Sequence, residues 1–429
     1  MRKRLVLALA LAASGLGCRL RPKSDVIVIL VDTLRRDHLP CYGYERPTAP
    51  FLSELARRGS VFENAYSTTS WTAPATAALF TSLYPLQHGL VTGRMAVERL
   101  TGKGVALKVN RIPSSAETIA EALKAGGYAT WAVVENVNLS REMGFDQGFD
   151  EFHSLHPSLD AASISKKLEQ LRPRILAKHP YFLYLHYMDV HAPYQDRAPF
   201  SDPSLSEDAR RIAAYDSDIR YLDEHLRASF ASFGWDKGAT VVVTGDHGEE
   251  LGERGFFGHA RTLYAEVLNV PLVFFGGSAP AGRRVRERVS HIDVLPTLRE
   301  LCGLPHGAGD AGVSLLPLIQ GGRDTLPERA LFADLWRNPA GERRSVLRAA
   351  IHGRWKRIGG NLEGPQLFDL DADPRELVNL AGAQVEVEAD LKKRFAEFEA
   401  GAPKLTPEFA ESTQDEGTNE ELRALGYVN

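Results

Sequence analysis

The sequence has few cysteines, little net charge and no apolar run that is long enough for a typical membrane span. Cys18, Cys41 and Cys302 are the three cysteines among 429 residues, too few for a disulfide framework. A formal net charge of −4 provides no basic excess, which argues against a nucleic-acid partner. The remaining composition, 44% hydrophobic and 25% charged, is that of a folded soluble protein. We therefore expect the partner to be a small ester or a surface polymer.

The N-terminus has the layout of a secretory signal. Arg2-Lys3-Arg4 precedes the apolar stretch 5–16, and Gly17-Cys18 follows. This stretch is shorter than the roughly 20 residues of a bilayer span. The end of it resembles the lipobox of bacterial lipoproteins, although Gly15 stands where Leu is preferred. We predict a signal peptide over 1–18, a lipid anchor at Cys18 and a location in the bacterial cell envelope, periplasmic or membrane-anchored; ordinary cleavage nearby is the alternative.

Apolar strand-like runs alternate with helix-like segments over most of the chain. This alternation predicts an α/β fold, with a large and mostly parallel sheet sandwiched by helices over 25–330. From residue 331 the pattern changes to short strands separated by turn residues, which predicts a small antiparallel sheet in a C-terminal α+β subdomain over 331–429. The acidic tail 400–421 is expected to be a surface strap or partly disordered.

Two of the predicted strands end in carboxylates. The apolar run before Asp32 and the run before Asp246-His247 both indicate buried parallel strands that place polar side chains at the rim of the sheet. Two Asp and one His at this rim can share a divalent cation. The alternative interpretation is that Asp32 and Asp246 cap helices.

A third polar segment surrounds Thr72. This hydroxyl residue comes just before Pro74 at the predicted start of a helix, where backbone N–H groups and the helix dipole favour an anion. Thr72 is therefore well placed as a nucleophile. The alternative is a helix N-cap without a chemical role.

Together these segments resemble the sulfatase family of the alkaline phosphatase superfamily, in order over residues 25–429. The matching phrases are Val31-Asp32-Thr33-Leu34-Arg35-Arg36-Asp37-His38, Cys41-Tyr42-Gly43-Tyr44, Phe62-Glu63-Asn64-Ala65-Tyr66, the segment from Thr72 to Pro85, Gly144-Phe145-Asp146-Gln147-Gly148-Phe149-Asp150, His191-Ala192-Pro193-Tyr194, Gly245-Asp246-His247-Gly248-Glu249, Val270-Pro271-Leu272, Leu367-Phe368-Asp369-Leu370 and Asp373-Pro374. The resemblance implies an alkaline-phosphatase-like fold.

The resemblance also implies roles for particular residues. Asp32, Asp246 and His247 would bind one divalent cation, and Thr72 would be the nucleophile and also contact the metal. Such ligands are compatible with calcium, magnesium, manganese or zinc. His191 and His259 would contact the anionic ester or protonate the leaving group. The alternatives are a loop residue bonded to backbone for the first histidine and a helix-start residue for the second.

Three departures from the family pattern affect the expected mechanism. Thr72 replaces the Cys or Ser that becomes formylglycine, so we expect no formylglycine here, and Thr76 replaces an Arg. Thr33 replaces the second Asp of a carboxylate pair, so the metal site has one negative charge fewer than the family pattern. The family's Gly-Lys-x-His phrase is absent, since the matching strand ends at residues 134–138 as Val-Glu-Asn-Val-Asn.

The sequence therefore predicts a metal-dependent hydrolase of sulfate, phosphate or phosphonate esters that uses Thr72 as nucleophile. Phosphorus esters are favoured, because a Thr phosphate ester is readily opened by attack at phosphorus, whereas a sulfated Thr would need water to attack sulfur. The expected substrate is a small anionic ester or an envelope glycan or lipid. Two alternatives remain: an envelope transferase of a phosphoryl-linked group, and a catalytically silent binding protein on the same fold.

Overall fold

The protein is described by a computed structural model over residues 23–91, 107–155, 160–277, 279, 281–337, 345–361 and 364–412. The strands are β1 (Val26–Val31), β2 (Ser60–Tyr66), β3 (Leu107–Arg111), β4 (Ala129–Val134), β5 (Glu151–Ser154), β6 (Tyr181–Tyr187), β7 (Thr240–Gly245), β8 (Glu250–Leu251), β9 (Phe257–Gly258), β10 (Asn269–Gly276), β11 (Arg283–Ser290), β12 (Leu331–Arg337), β13 (Ser345–His352), β14 (Trp355–Gly360), β15 (Gln366–Asp369) and β16 (Glu408–Ser412). The α-helices are α1 (Pro50–Arg58), α2 (Thr72–Thr81), α3 (Pro85–His88), α4 (Ile119–Ala125), α5 (Ala161–Leu176), α6 (Glu207–Phe233), α7 (Ala265–Leu268), α8 (Val294–Leu301), α9 (Leu316–Ile319) and α10 (Val385–Gly401).

Eight strands form the central sheet, in the order β11-β2-β10-β7-β1-β6-β4-β5. β1 lies near the middle and runs parallel to both neighbours, β6 and β7. β10 is antiparallel to both of its neighbours, which makes the sheet mostly rather than wholly parallel. All six residues of β1 are buried, because helices cover both faces. The predicted fold class is confirmed.

The two faces of the sheet carry separate apolar cores. Side chains of a strand alternate between faces, so Val28 and Leu30 of β1 join one core and Ile29 and Val31 join the other. The first core includes residues of α2, α4 and α8, and the second includes residues of α1, α5 and α6. Asp32 comes two residues after Leu30, so its side chain lies on the same face of the sheet, which is the face that α2 covers.

Two helix starts follow directly from their sequences. α4 begins at Ile119, because Thr118 caps the helix and exchanges hydrogen bonds with Glu121. α1 begins at Pro50, whose fixed φ suits the first turn.

The C-terminal part forms the predicted small antiparallel sheet, in the order β12-β13-β14-β15. Its inner face packs on Tyr66, Val267 and Leu268 of the large domain. A buried ion pair joins Lys356 Nζ to Glu376 Oε1 at 2.7 Å. Beyond α10 the chain returns to the large domain, where β16 pairs with β3 as a surface strap.

Other sequence predictions concern the N-terminus and the cysteines. The predicted signal peptide and Cys18 lie outside the described residues. None of the helices within the described ranges combines the length and apolar character of a membrane span. Cys41 and Cys302 are free thiols.

Candidate active site

Asp32 and Asp246 lie side by side at the carboxyl edge of the central sheet. β1 and β7 are parallel neighbours in which Val31 pairs with Gly245, so the next residue of each strand reaches the same level. Oδ1 of Asp246 accepts the N–H groups of Thr33 at 3.0 Å and His247 at 2.7 Å. These amides belong to strand ends and loops, and in the described part of the chain no α-helix begins in the segment that directly follows either carboxylate. The helix-cap interpretation of these two residues is therefore wrong.

Thr72 is the first residue of α2 and does not cap it. Trp71 occupies the N-cap position, without a side-chain hydrogen bond to the helix. Oγ1 of Thr72 instead lies 3.3 Å from Asp32 Oδ2 and 3.3 Å from His247 Nε2. The hydroxyl thus sits at the positive end of a ten-residue helix and among the expected metal ligands. The N-cap interpretation does not hold.

The structure brings together all four residues expected to bind the cation. Nε2 of His247 lies 3.3 Å from Asp246 Oδ2 and 3.9 Å from Asp32 Oδ1. Both carboxylates and the imidazole are fully buried. Asp32 Oδ1 and Asp246 Oδ2 accept no hydrogen bond from the described residues. Two buried carboxylate oxygens without a donor, next to a hydroxyl and an imidazole, fit a hard divalent cation.

The electrostatics of the site also fit a cation. Burial raises the pKa of Asp246 to about 7, and burial followed by the charge of Asp246 raises the pKa of Asp32. Burial, and then the neighbouring His259, lower the pKa of His247 to about 4, which keeps this ring neutral as a ligand. A divalent cation would favour the charged form of both carboxylates.

His186 is a further candidate ligand that the sequence analysis did not identify. Ligand atoms of Asp32, His186 and Asp246 all lie within 4.8 Å of one another, and all three residues are buried. His186 pairs with Leu30 in the sheet, and its Nε2 lies 3.6 Å from Asp32 Oδ2. The one available signal was an imidazole inside the otherwise uncharged strand β6.

His191 and His259 stand next to the metal-ligand cluster. The ring centroid of His259 is 4.6 Å from that of His247 and 5.1 Å from that of His191. His259 follows β9 and precedes α7 by several residues, so the helix-start interpretation is wrong. Nδ1 of His191 lies 2.6 Å from the carbonyl of Ala192, so the expected backbone contact exists while the ring still faces His259.

Glu249 holds His259, and the sequence analysis gave it no role. Its Oε1 lies 3.0 Å from His259 Nδ1, and its Oε2 accepts the Tyr194 hydroxyl at 3.0 Å. The Arg35 guanidinium donates a hydrogen bond to the backbone carbonyl of Glu249 at 2.9 Å. Glu249 is fully buried. A carboxylate two residues after His247 was the signal that could have identified it.

The three departures from the family pattern all produce neutral contacts. Thr33 turns its hydroxyl away to the carbonyl of Val190 at 2.9 Å, with its backbone at φ 57°. The side-chain amide of Asn136, from the end of β4, donates to Asp32 Oδ2 at 2.8 Å. Thr76 is buried one turn after Thr72. Among the described ion pairs of Asp32 and Asp246, none involves Lys or Arg.

Comparison with known proteins identifies the family. A family model described as Sulfatase matches residues 24–304, and one described as N-sulphoglucosamine sulphohydrolase, C-terminal, matches residues 252–401. Human arylsulfatase A is 28% identical over 475 aligned positions, which cover 90% of this chain and 89% of that protein.

Solved structures share the fold. A phosphonate monoester hydrolase of Agrobacterium radiobacter superposes with a TM-score of 0.70 at 19% identity, covering 89% of this chain and 96% of its own. A 2-O GAG sulfatase gives a TM-score of 0.73 at 18% identity, with 90% and 95% covered. The first family model alone spans more than half of the 429 residues. The chain therefore belongs to the sulfatase family, within the alkaline phosphatase superfamily, and is a sulfatase-like ester hydrolase.

Proposed function

We propose that the protein hydrolyses phosphorus esters, with Thr72 as a covalent nucleophile and one divalent cation held by Asp32, Asp246, His247 and Thr72 itself. The observation that carries this proposal is the position of the Thr72 hydroxyl, 3.3 Å from both Asp32 and His247. A hydroxyl used only to cap a helix would bond to the backbone of the first turn. A bound cation would lower the pKa of the hydroxyl and neutralise charge on the ester.

The covalent step follows from the nature of the Thr side chain. Thr72 Oγ gives up its proton and attacks phosphorus, the bond from phosphorus to the leaving oxygen breaks, and the leaving alcohol takes up one proton. Water then attacks phosphorus, the bond to Thr72 Oγ breaks, and the hydroxyl regains a proton. No aldehyde is needed at any stage, which agrees with a Thr at a position where formylglycine sulfatases have Cys or Ser. The N-terminal dipole of α2 stabilises the anionic group that Thr72 carries in between.

His259 is suited to supply the proton to the leaving group. Glu249 binds its Nδ1 and stabilises a positive ring, so Nε2 remains available. Burial lowers the pKa of His259 to about 3, so this ring is neutral before substrate binds. The negative charge of a bound ester raises that pKa, so the ring can take up a proton at Nε2 and pass it to the leaving oxygen.

The charges of the site favour an ester with a single negative charge. Asn136 and Thr76 supply neutral groups, and the described ion pairs of the two carboxylates include no Lys or Arg. A dianionic phosphate monoester would need more compensation than one cation provides in a buried site. Phosphonate monoesters and phosphodiesters carry one charge, and we expect them to be better substrates.

The experiment compares 4-nitrophenyl esters on cation-loaded protein: a methylphosphonate, a phosphodiester, a phosphate and a sulfate. We expect the first two to react fastest, Thr72→Ala to lose at least about 100-fold in kcat, and Thr72→Ser to keep part of the activity. Mass spectrometry of protein quenched during turnover should find the phosphoryl group on the peptide that contains Thr72. Wild-type rates in Thr72→Ala would refute the covalent mechanism, and a preference for the sulfate ester would refute the phosphorus preference. Cation-loaded protein that hydrolyses none of the four would favour a binding protein.

A further inference from the structure

A cavity of about 450 Å³ begins next to both histidines of the site. Ala192 and Gly258, the immediate chain neighbours of His191 and His259, belong to its wall. The rest of the wall includes Pro193, Tyr194, Ala214 of α6 and Phe257 of β9. Its volume lies in the usual range of ligand pockets, roughly 300–1,000 Å³.

The exposed surface of this cavity is mainly apolar, although four charged residues also line it, Asp196, Glu207, Arg210 and Arg211. The Tyr194 hydroxyl is engaged by Glu249 at 3.0 Å, which leaves the ring as the lining surface. Arg211 lies with its guanidinium 5.0 Å from the Phe257 ring centroid and bonds Glu207 at 2.6 Å, so its charge is already compensated. Such a wall binds flat apolar groups better than a hydroxyl-rich sugar, which would lose hydrogen bonds to water.

The cavity and the reacting groups share one hydrogen-bonded wall. Glu249 joins them, because one carboxylate oxygen contacts His259 and the other contacts Tyr194. The imidazole rings of His247, His259 and His191 form a row that begins beside the Thr72 hydroxyl. In an in-line displacement the leaving oxygen departs on the side opposite the nucleophile, and the row of rings leads away from Thr72 towards the residues that line the cavity.

We propose that this cavity is the leaving-group subsite and that it takes an aromatic alcohol, a phenol, as the departing part of the ester. The inference rests on the proposed function, because it assigns the leaving side from Thr72 as nucleophile. In the reaction Thr72 Oγ gives up its proton and bonds to phosphorus, the bond from phosphorus to the aryl oxygen breaks, the aryl oxygen takes up one proton, and a neutral phenol remains between Phe257 and Tyr194 until it dissociates.

The test uses two methylphosphonate esters, phenyl and 2,2,2-trifluoroethyl, with the variant Phe257→Ala and the control Phe256→Ala. Phe256 is 46% exposed on the same hairpin and packs on Arg261 rather than lining the cavity. We expect Phe257→Ala to lower kcat/KM about tenfold for the phenyl ester and to leave the trifluoroethyl ester within twofold. The control should change neither value.

A second variant, Ala214→Leu, fills part of the same cavity from α6 and leaves the hairpin sequence unchanged. It should raise KM for the phenyl ester and spare the trifluoroethyl ester. Equal losses on both esters in Phe257→Ala and in Ala214→Leu would overturn the subsite assignment while leaving the proposed function in place.

Failure of the proposed function gives a different result, since the wild-type protein would then hydrolyse neither ester. Saturation-transfer NMR with phenol tests the cavity separately from activity. Phenol binding that Phe257→Ala abolishes and Phe256→Ala retains would support an aromatic subsite; equal phenol signals in both variants would overturn it.

Discussion

Replacing Asp246 with Asn should make the cation-free protein more stable while it abolishes metal binding. Burial raises the folded pKa of Asp246 from its ordinary value of 3.8 to about 7. Because the folded pKa is raised, the stability linked to this group is complete below pH 4 and is lost as the pH rises through 7. Above pH 7 this difference in pKa corresponds to about 4 kcal/mol of unfolding free energy. An Asn keeps the acceptor Oδ1 for Thr33 and His247 and carries no charge.

The assay is urea unfolding in the presence of chelator at pH 5 and pH 8. We expect Asp246→Asn to gain about 2.5–3 kcal/mol over the wild type between these two conditions, because the range from pH 5 to pH 7 covers about two of the three pKa units of the shift. Added calcium, magnesium, manganese or zinc should then raise the unfolding midpoint of the wild type and have little effect on the variant. A lower stability of chelated Asp246→Asn than of chelated wild type at pH 8 would refute the reasoning.

Asp223→Asn provides the matched control for this experiment. Asp223 is also buried, with its pKa raised to about 6, but its carboxylate accepts the N–H groups of Phe51 and Leu52 at the start of α1. Its replacement should alter the pH dependence of stability and leave the response to added cation intact. Loss of that response in the control would mean that the cation effect does not report on Asp246.

Three further predictions concern other parts of the molecule. Lys356→Met should lower the unfolding free energy by about 3–5 kcal/mol in urea titrations, since it leaves the carboxylate of Glu376 buried and unpaired; combining it with Glu376→Leu should recover part of the loss, and an additive loss would contradict this. His259→Asn should reduce kcat more for a trifluoroethyl ester than for a 4-nitrophenyl ester of the same acid, because the poorer leaving group needs the proton more; equal reductions would make His259 a positioning residue. We also propose that Cys18 carries a lipid anchor in the cell envelope, so the protein should enter the detergent phase on phase separation and Cys18→Ala should not; wild-type protein in the aqueous phase would exclude the anchor.

The fold and part of the site could be predicted because they depend on local patterns. A six-residue apolar run such as β1 indicates a buried strand, and parallel strands place their carboxyl ends along one edge. These two facts are enough to expect Asp32 and Asp246 close together. The place of Thr72 followed from Pro74 and the helix-start pattern, although the helix begins two residues before Pro74, at Thr72 itself.

The remaining site residues depend on contacts between distant segments. His186 is one polar residue in a buried strand, and a sequence alone cannot distinguish a metal ligand from a core histidine with an ordinary hydrogen bond. Its relevance appears only when β6 pairs with β1 and brings Nε2 to 3.6 Å from Asp32. Glu249 gains its role in the same way, through a hairpin that returns His259 to it.

The neutral substitutions in this site offset one another only in part and leave it with less positive charge. Relative to the family pattern, Thr33 removes one negative charge, while Thr76 and the segment that contains Asn136 remove two positive charges. Asn136 also uses its amide to bond Asp32, and thereby satisfies an oxygen that a cationic side chain would otherwise neutralise. The site therefore keeps enough acceptors for one cation and loses the positive charge that a dianion or a sulfate-rich polymer would require. This balance is the physical reason to expect a small, singly charged ester, with an aromatic alcohol as its leaving part.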